Sequence, residues 1–89
     1  MDIRKIDVPD IKNVQPLQNM VLLVTFADGT VKELDMKQYD YFQPFQPLFD
    51  NPQIFGQAKA CEYGTGVVWN DKIDISLYEV WDAGVTVSS

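Results

Sequence analysis

Along this chain short runs of alternating apolar and polar residues are separated by turn-forming residues. The clearest run is MVLLVTF, residues 20–26, in which Leu22, Val24 and Phe26 share one face at period two while Val21 and Leu23 take the other. A strand of that kind is expected to be central and at least partly covered on both sides. IKNVQPL, residues 11–17, reads as a shorter strand; Pro16 cannot donate to a ladder and belongs near its end or on an edge. Gln18 and Asn19 form the turn between them. Residues 1–10 are charged and interrupted by Pro9, an N-terminal extension that is either a ragged end or an extra edge strand through Ile3, Ile6 and Val8.

The segment VTFADGTVKEL, residues 24–34, poses a register question. A two-residue Asp28-Gly29 loop would set Leu22 opposite Asp35 and Val24 opposite Glu33, acids against core positions. A three-residue loop of Ala27, Asp28 and Gly29, a type I turn followed by a left-handed glycine, instead pairs Phe26 with Thr30 and Leu22 with Leu34. The second register matches the apolar pattern, so Asp28 and Gly29 are read as structural turn residues and not as chemistry. It leaves Lys32 opposite Val24, which an edge strand would tolerate.

Asp35 with Gln38 three residues on has capping-box spacing and predicts a short helix running on through residues 39–42, stopped by Pro44. Residues 39–55 hold six aromatics and three prolines. There Phe45, Leu48 and Phe49 have helical spacing, and Asn51-Pro52 reads as cap and first residue of a further turn carrying Ile54 and Phe55. QAKACEY and GVVWN flank a Gly64-Thr65-Gly66 turn and predict a second hairpin, with Cys61 as a buried strand residue. Asn70-Asp71 marks another turn before Ile73 and Ile75. Ser76 and Glu79 form a second capping box, opening a helix over residues 77–83 with Leu77, Val80 and Trp81 as its apolar stripe and Gly84 as its stop. Residues 84–89 form a tail that either frays or adds an edge strand. The fold expected is α+β, a small antiparallel sheet built from two hairpins with short helices packed on it, in one domain of residues 1–89.

Composition narrows the function classes. The net charge is −6 with no histidine, and the basic pair Arg4-Lys5 is flanked by Asp2 and Asp7. Such a surface repels nucleic-acid backbones and anionic membranes and suits a basic protein partner. One cysteine rules out an intrachain disulfide. The charged N-terminus has no signal-peptide core and no apolar run is long enough to span a bilayer, so a cytoplasmic location is expected.

Candidate chemistry is sparse. No histidine and one cysteine exclude a structural zinc site within one chain, and no acidic series has the spacing of a calcium loop. Cys61 lacks a histidine to activate it. Gly64-Thr65-Gly66 is too short to cradle phosphate. Asp71 with Asp74 and Glu79 with Asp82 are read as solvated acids. Pro44-Phe45-Gln46-Pro47 fits P-x-x-P, but no basic residue lies close by, and the aromatics around it call for burial. No catalytic residue, cofactor or metal is therefore expected, and the protein is expected not to be an enzyme. What remains is an aromatic surplus. Tyr39, Tyr41, Trp69, Tyr78 and Trp81, with Asp74, form the candidate interaction surface, because tyrosine and tryptophan are enriched where proteins meet. A basic partner or a homodimer would use it; the alternative is a small-ligand pocket, or an undetected enzyme, lined by Tyr39, Trp69, Tyr78 and Asp74.

Taken in order, the F-x-D-G turn, the strand ending in Asp35, F-x-x-L-x-D-x-x-x-F over residues 45–55 (Phe45, Leu48, Asp50, Phe55), G-x-V-x-W, Asp74 and Leu77-Tyr78 resemble the small bacterial proteins of domain-of-unknown-function family 2442. The likeness covers residues 11 to 78; the segment between Asp74 and Leu77-Tyr78 is a few residues shorter here than in the family. The resemblance implies a small α+β fold with an antiparallel sheet. It also implies an antitoxin-like protein that partners another small bacterial protein encoded next door. Some members carry a helix-turn-helix domain afterwards, for which this chain is too short. The family supplies no catalytic residues to carry over.

Overall fold

The computed structural model describes residues 8–87. The alternatives for the N-terminal extension fall mostly outside them; Val8, the first described residue, packs against the core.

Among the described residues seven strands and three short helices follow the order the sequence pattern sets. Strands β1 (Ile11–Pro16), β2 (Val21–Phe26) and β3 (Val31–Asp35) form an antiparallel meander, and β7 (Val85–Thr86) pairs with the outer side of β3. Strands β4 (Lys59–Ala60), β5 (Gly66–Asn70) and β6 (Ile73–Ser76) form a second antiparallel sheet. The α+β class holds, and the two hairpins sit in separate sheets. The sheets meet where β1 runs beside β4, with the Ile11 N–H donating to the Gly64 carbonyl at 2.8 Å. Gly64 has φ +72°, and a Cβ there would lie 2.9 Å from both the Ile11 carbonyl oxygen and the Asp10 Cβ, so only glycine fits the corner.

The first hairpin takes the three-residue loop. Leu22 faces Leu34 and Val24 faces Lys32, the Phe26 N–H donates to the Thr30 carbonyl, and Gly29 has φ +95°. Leu22, Val24, Phe26 and Leu34 are fully buried. Asp28 accepts the Thr30 N–H at 2.9 Å, which closes the turn and holds its carboxyl below the usual range. Two β-bulges then adjust the register. One at Lys12 sets Ile11 opposite Phe26, so Ile11 and Val14 both pack on the core although three residues apart. The other, at Trp69, keeps Trp69 and Ile73 both buried. The turn into β2 extends one residue further than predicted: Asn19 and Met20 are both left-handed, at φ 63° and 62°, and the Lys37 ammonium donates to the Asn19 carbonyl at 2.5 Å.

Helix α1 (Gln46–Asp50) carries Leu48 and Phe49 of the helical spacing, with Phe45 just before it, and helices α2 (Pro52–Phe55) and α3 (Leu77–Ala83) start where their caps place them. Asn51 caps α2 through the Gln53 N–H, and Ser76 caps α3 through the Glu79 N–H. Among the described residues no helix is long and apolar enough to cross a membrane.

Three expectations change. The helix predicted through residues 39–42 is a single 3-10 turn, Met36–Tyr39, after which Phe42 is extended. Phe42 turns back so that its ring meets Phe45 edge-on at 4.8 Å, and a second 3-10 turn, Gln43–Phe45, begins directly after it. Cys61 lies outside β4, half-buried in the turn, because β4 pairs only through Lys59 and Ala60 before the chain bends to Gly64. Its thiol accepts the Thr65 hydroxyl at 3.6 Å, and that bond with neighbouring N–H groups pulls its pKa down. Lys32 is not on an edge, since β7 covers β3, and it is only 9% exposed. Its ammonium donates to the Trp81 carbonyl at 2.5 Å and lies 4.2 Å from the centre of the Trp81 ring. Gly84 ends α3 at φ −73°, an ordinary conformation; glycine is needed there because a Cβ would crowd the Val80 carbonyl at 2.7 Å and the Lys32 stem at 3.2 Å.

Two measurements by chemical denaturation check these contacts. Gly29→Ala meets only an unfavourable φ and is expected to lose about 1 kcal/mol, whereas Gly64→Ala adds a clash with the β1 backbone and loses about 2–3 kcal/mol. Lys32→Ala uncovers packing and orphans a helix carbonyl, a loss of about 2–3 kcal/mol; Lys32→Met keeps the stem and loses about half as much.

Candidate functional site

The segment from Tyr39 to Phe45 folds over the end of the small sheet and leaves a hollow of about 290 Å³ between itself, β6 and the start of α3. Tyr39, Tyr41, Phe42 and Phe45 form one wall; Asp74, Ile75 and Ser76 of β6 and Glu79 of α3 form the other. Phe45 anchors the aromatic wall: Tyr39 and Phe42 meet it edge-to-face at 5.5 and 4.8 Å, and Trp69 tilts against it at 6.1 Å. The Gln46 side-chain amide donates to the Asp40 carbonyl at 2.7 Å and ties the loop to the start of α1.

The Tyr39 hydroxyl donates to Glu79 Oε2 at 2.6 Å. Burial of the ring, then this bond and the charge of Glu79, push the phenol pKa well above its usual value. The bond changes the reading of the Ser76–Glu79 capping box. The Glu79 N–H uses the Ser76 hydroxyl as expected, but the Glu79 carboxylate, which in a full box would reach back to Ser76, turns to Tyr39. Among the described residues no lysine or arginine pairs with Asp74 or Glu79, and no three His, Cys, Asp or Glu side chains group as metal ligands.

The six residues of the candidate surface divide. Tyr41, 75% exposed, and Asp74 stand at the hollow. Tyr39 has a buried ring with its hydroxyl in the wall. Tyr78 is 65% exposed on α3 and does not line the hollow. Trp69 is in the core behind Phe45, its indole N–H buried without an acceptor among the described residues. Trp81 is half-buried, its ring against Phe26 at 4.9 Å and the Lys32 ammonium. Phe42, Phe45, Ile75, Ser76 and Glu79 complete the site, and the sequence reading does not place them in it. Glu79 and Ser76 carried only a helix-start signal, and the fold-back of Phe42 depends on a ring 3 residues on. A larger hollow of about 620 Å³ lies between the strained Asn19–Met20 turn and α2, and its lining holds no charged side chain.

This geometry defines a small two-sheet α+β protein in which a hollow walled by aromatics and carboxylates sits on a folded-back loop. The chain belongs to the family described as protein of unknown function, DUF2442, whose model matches residues 11–86. No curated protein and no solved structure matches it.

The Tyr39–Glu79 bond has a pH signature. Because the phenol titrates higher in the folded chain than the unfolded value of about 10, its contribution is intact below about pH 10 and is lost as the pH rises toward the folded value. Tyr39→Phe is expected to lose about 1 kcal/mol at neutral pH and to show a flatter alkaline decline, read by denaturation at a series of pH values.

Proposed function

We propose that this protein is a non-enzymatic interaction module that binds a basic protein partner through the face around the hollow. The supporting observation is the pairing of solvent-exposed aromatic side chains, Tyr41 and Phe42, with the carboxylates of Asp74 and Glu79, which meet no lysine or arginine among the described residues, on a chain of net charge −6. Exposed aromatics ringed by one sign of charge are what a complementary partner desolvates and is steered toward. A second copy of this chain would bring the same negative charge to the same face, so a heteromeric partner is the better reading than a homodimer. A small-molecule site is the alternative reading; the exposure of Tyr41 and Phe42 beside the hollow favours a protein surface over a closed ligand pocket. In the family resemblance the natural candidate is the small protein encoded beside it, with this chain in an antitoxin-like role in a bacterial cytoplasm.

Mixing the purified chain with the product of the adjacent gene is expected to give one co-eluting species on size exclusion at low salt, weakening as salt screens the rim charges. Separate elution at low salt overturns the reading.

A further inference from the structure

We propose that the hollow between the Tyr39–Phe45 loop and β6 is an anchor pocket for a single cationic side chain, arginine by its shape, carried by that basic partner. The inference rests on the reading above and names what the site recognises.

Size sets the first limit. About 290 Å³ accommodates one long side chain. Charge sets the second. Asp74 and Glu79 stand in the wall, and no lysine or arginine lines it. An anion would meet repulsion there. A leucine or phenylalanine would strip water from two carboxylates without compensating them, which is costly. Among the described residues a metal ion would find two carboxylates beside aromatic rings, without a histidine, cysteine or third carboxylate grouped with them. A guanidinium satisfies both halves of the lining: its plane stacks on the Tyr41 and Phe42 rings, and its N–H groups meet the carboxylates.

Pre-organisation is the third point. The Tyr39 hydroxyl already holds Glu79 Oε2, so the orientation of the carboxylate is fixed before anything binds and Oε1 remains to accept. The Ser76 hydroxyl is engaged by the Glu79 N–H. Tyr39 and Phe42 are held edge-to-face on Phe45, which leaves the exposed Tyr41 ring as the part of the aromatic wall that a docking side chain has to order. Buried side-chain anchors of this kind, arginine prominent among them, dominate the binding energy of many interfaces.

The test uses amino-acid amides as probes, followed by amide NMR of the full chain. N-acetyl-arginine amide is expected to move the signals of Tyr41, Phe42, Ser76 and Glu79, while N-acetyl-citrulline amide, its neutral isostere, binds at least about threefold more weakly. Asp74→Asn and Glu79→Gln are each expected to weaken the arginine probe by about threefold, and Glu62→Gln, which removes an exposed charge from the β4–β5 turn, to leave it unchanged. Equal binding of the two probes, no binding of the arginine probe, or signals moving elsewhere on the chain overturns the proposal; the probe comparison needs no variant to fold. A complex with the neighbouring gene product that survives both substitutions, with no response to the arginine probe, removes the anchor and leaves the partner reading. A response to the arginine probe without such a complex does the reverse.

Discussion

A lysine ammonium held beneath the last turn of helix α3 joins the two halves of this molecule. Lys32 belongs to the large sheet; α3 continues directly from β6 of the small one. The ammonium donates to the Trp81 carbonyl, one of the helix-end oxygens with no partner inside the helix, and sits over the ring of the same residue. A cation at that end also complements the partial negative charge of the helix terminus. The ring carries the contact inward to Phe26, and Gly84 lets the chain pass close over the lysine stem before β7 pairs with β3. One buried charge thus has a hydrogen-bond acceptor, an aromatic face and a covered stem, which is why it is tolerated in a core.

The same arrangement positions the candidate site. With α3 fixed at its C-terminal end by Lys32 and at its start by the Leu77 N–H donating to the Thr65 carbonyl, Glu79 is held facing the Tyr39–Phe45 loop. The loop in turn is shaped by ring contacts on Phe45 and not by regular helix. The hollow made in this way has Tyr39 and Phe42 held on Phe45 while the Tyr41 ring stands exposed at its rim.

Much of the fold was legible in the chain. The Asp28-Gly29 register followed from refusing to place acids opposite core residues, and the helix starts at Pro52 and Leu77 followed from their caps. The site was only half legible. Asp74 and Tyr41 were named for their residue types, and Trp69 and Trp81 were named for the same reason but are held by the core and by Lys32. Residue type indicates what a side chain can do at a surface; it does not say which side of a sheet a bulge will turn it toward.

Local order along the chain determined the strands, the turns, the caps and the excess of negative charge, because each depends on neighbours within a few residues. Tertiary structure alone decided the rest. It separated two hairpins into two sheets by the close approach of Gly64 to β1, and used bulges at Lys12 and Trp69 to bring out-of-phase residues to the core. It buried Lys32 under a helix nearly fifty residues away and diverted the Glu79 carboxylate from its own cap to Tyr39. Those outcomes depend on which surfaces arrive opposite one another when the chain closes, and no short-range pattern encodes that.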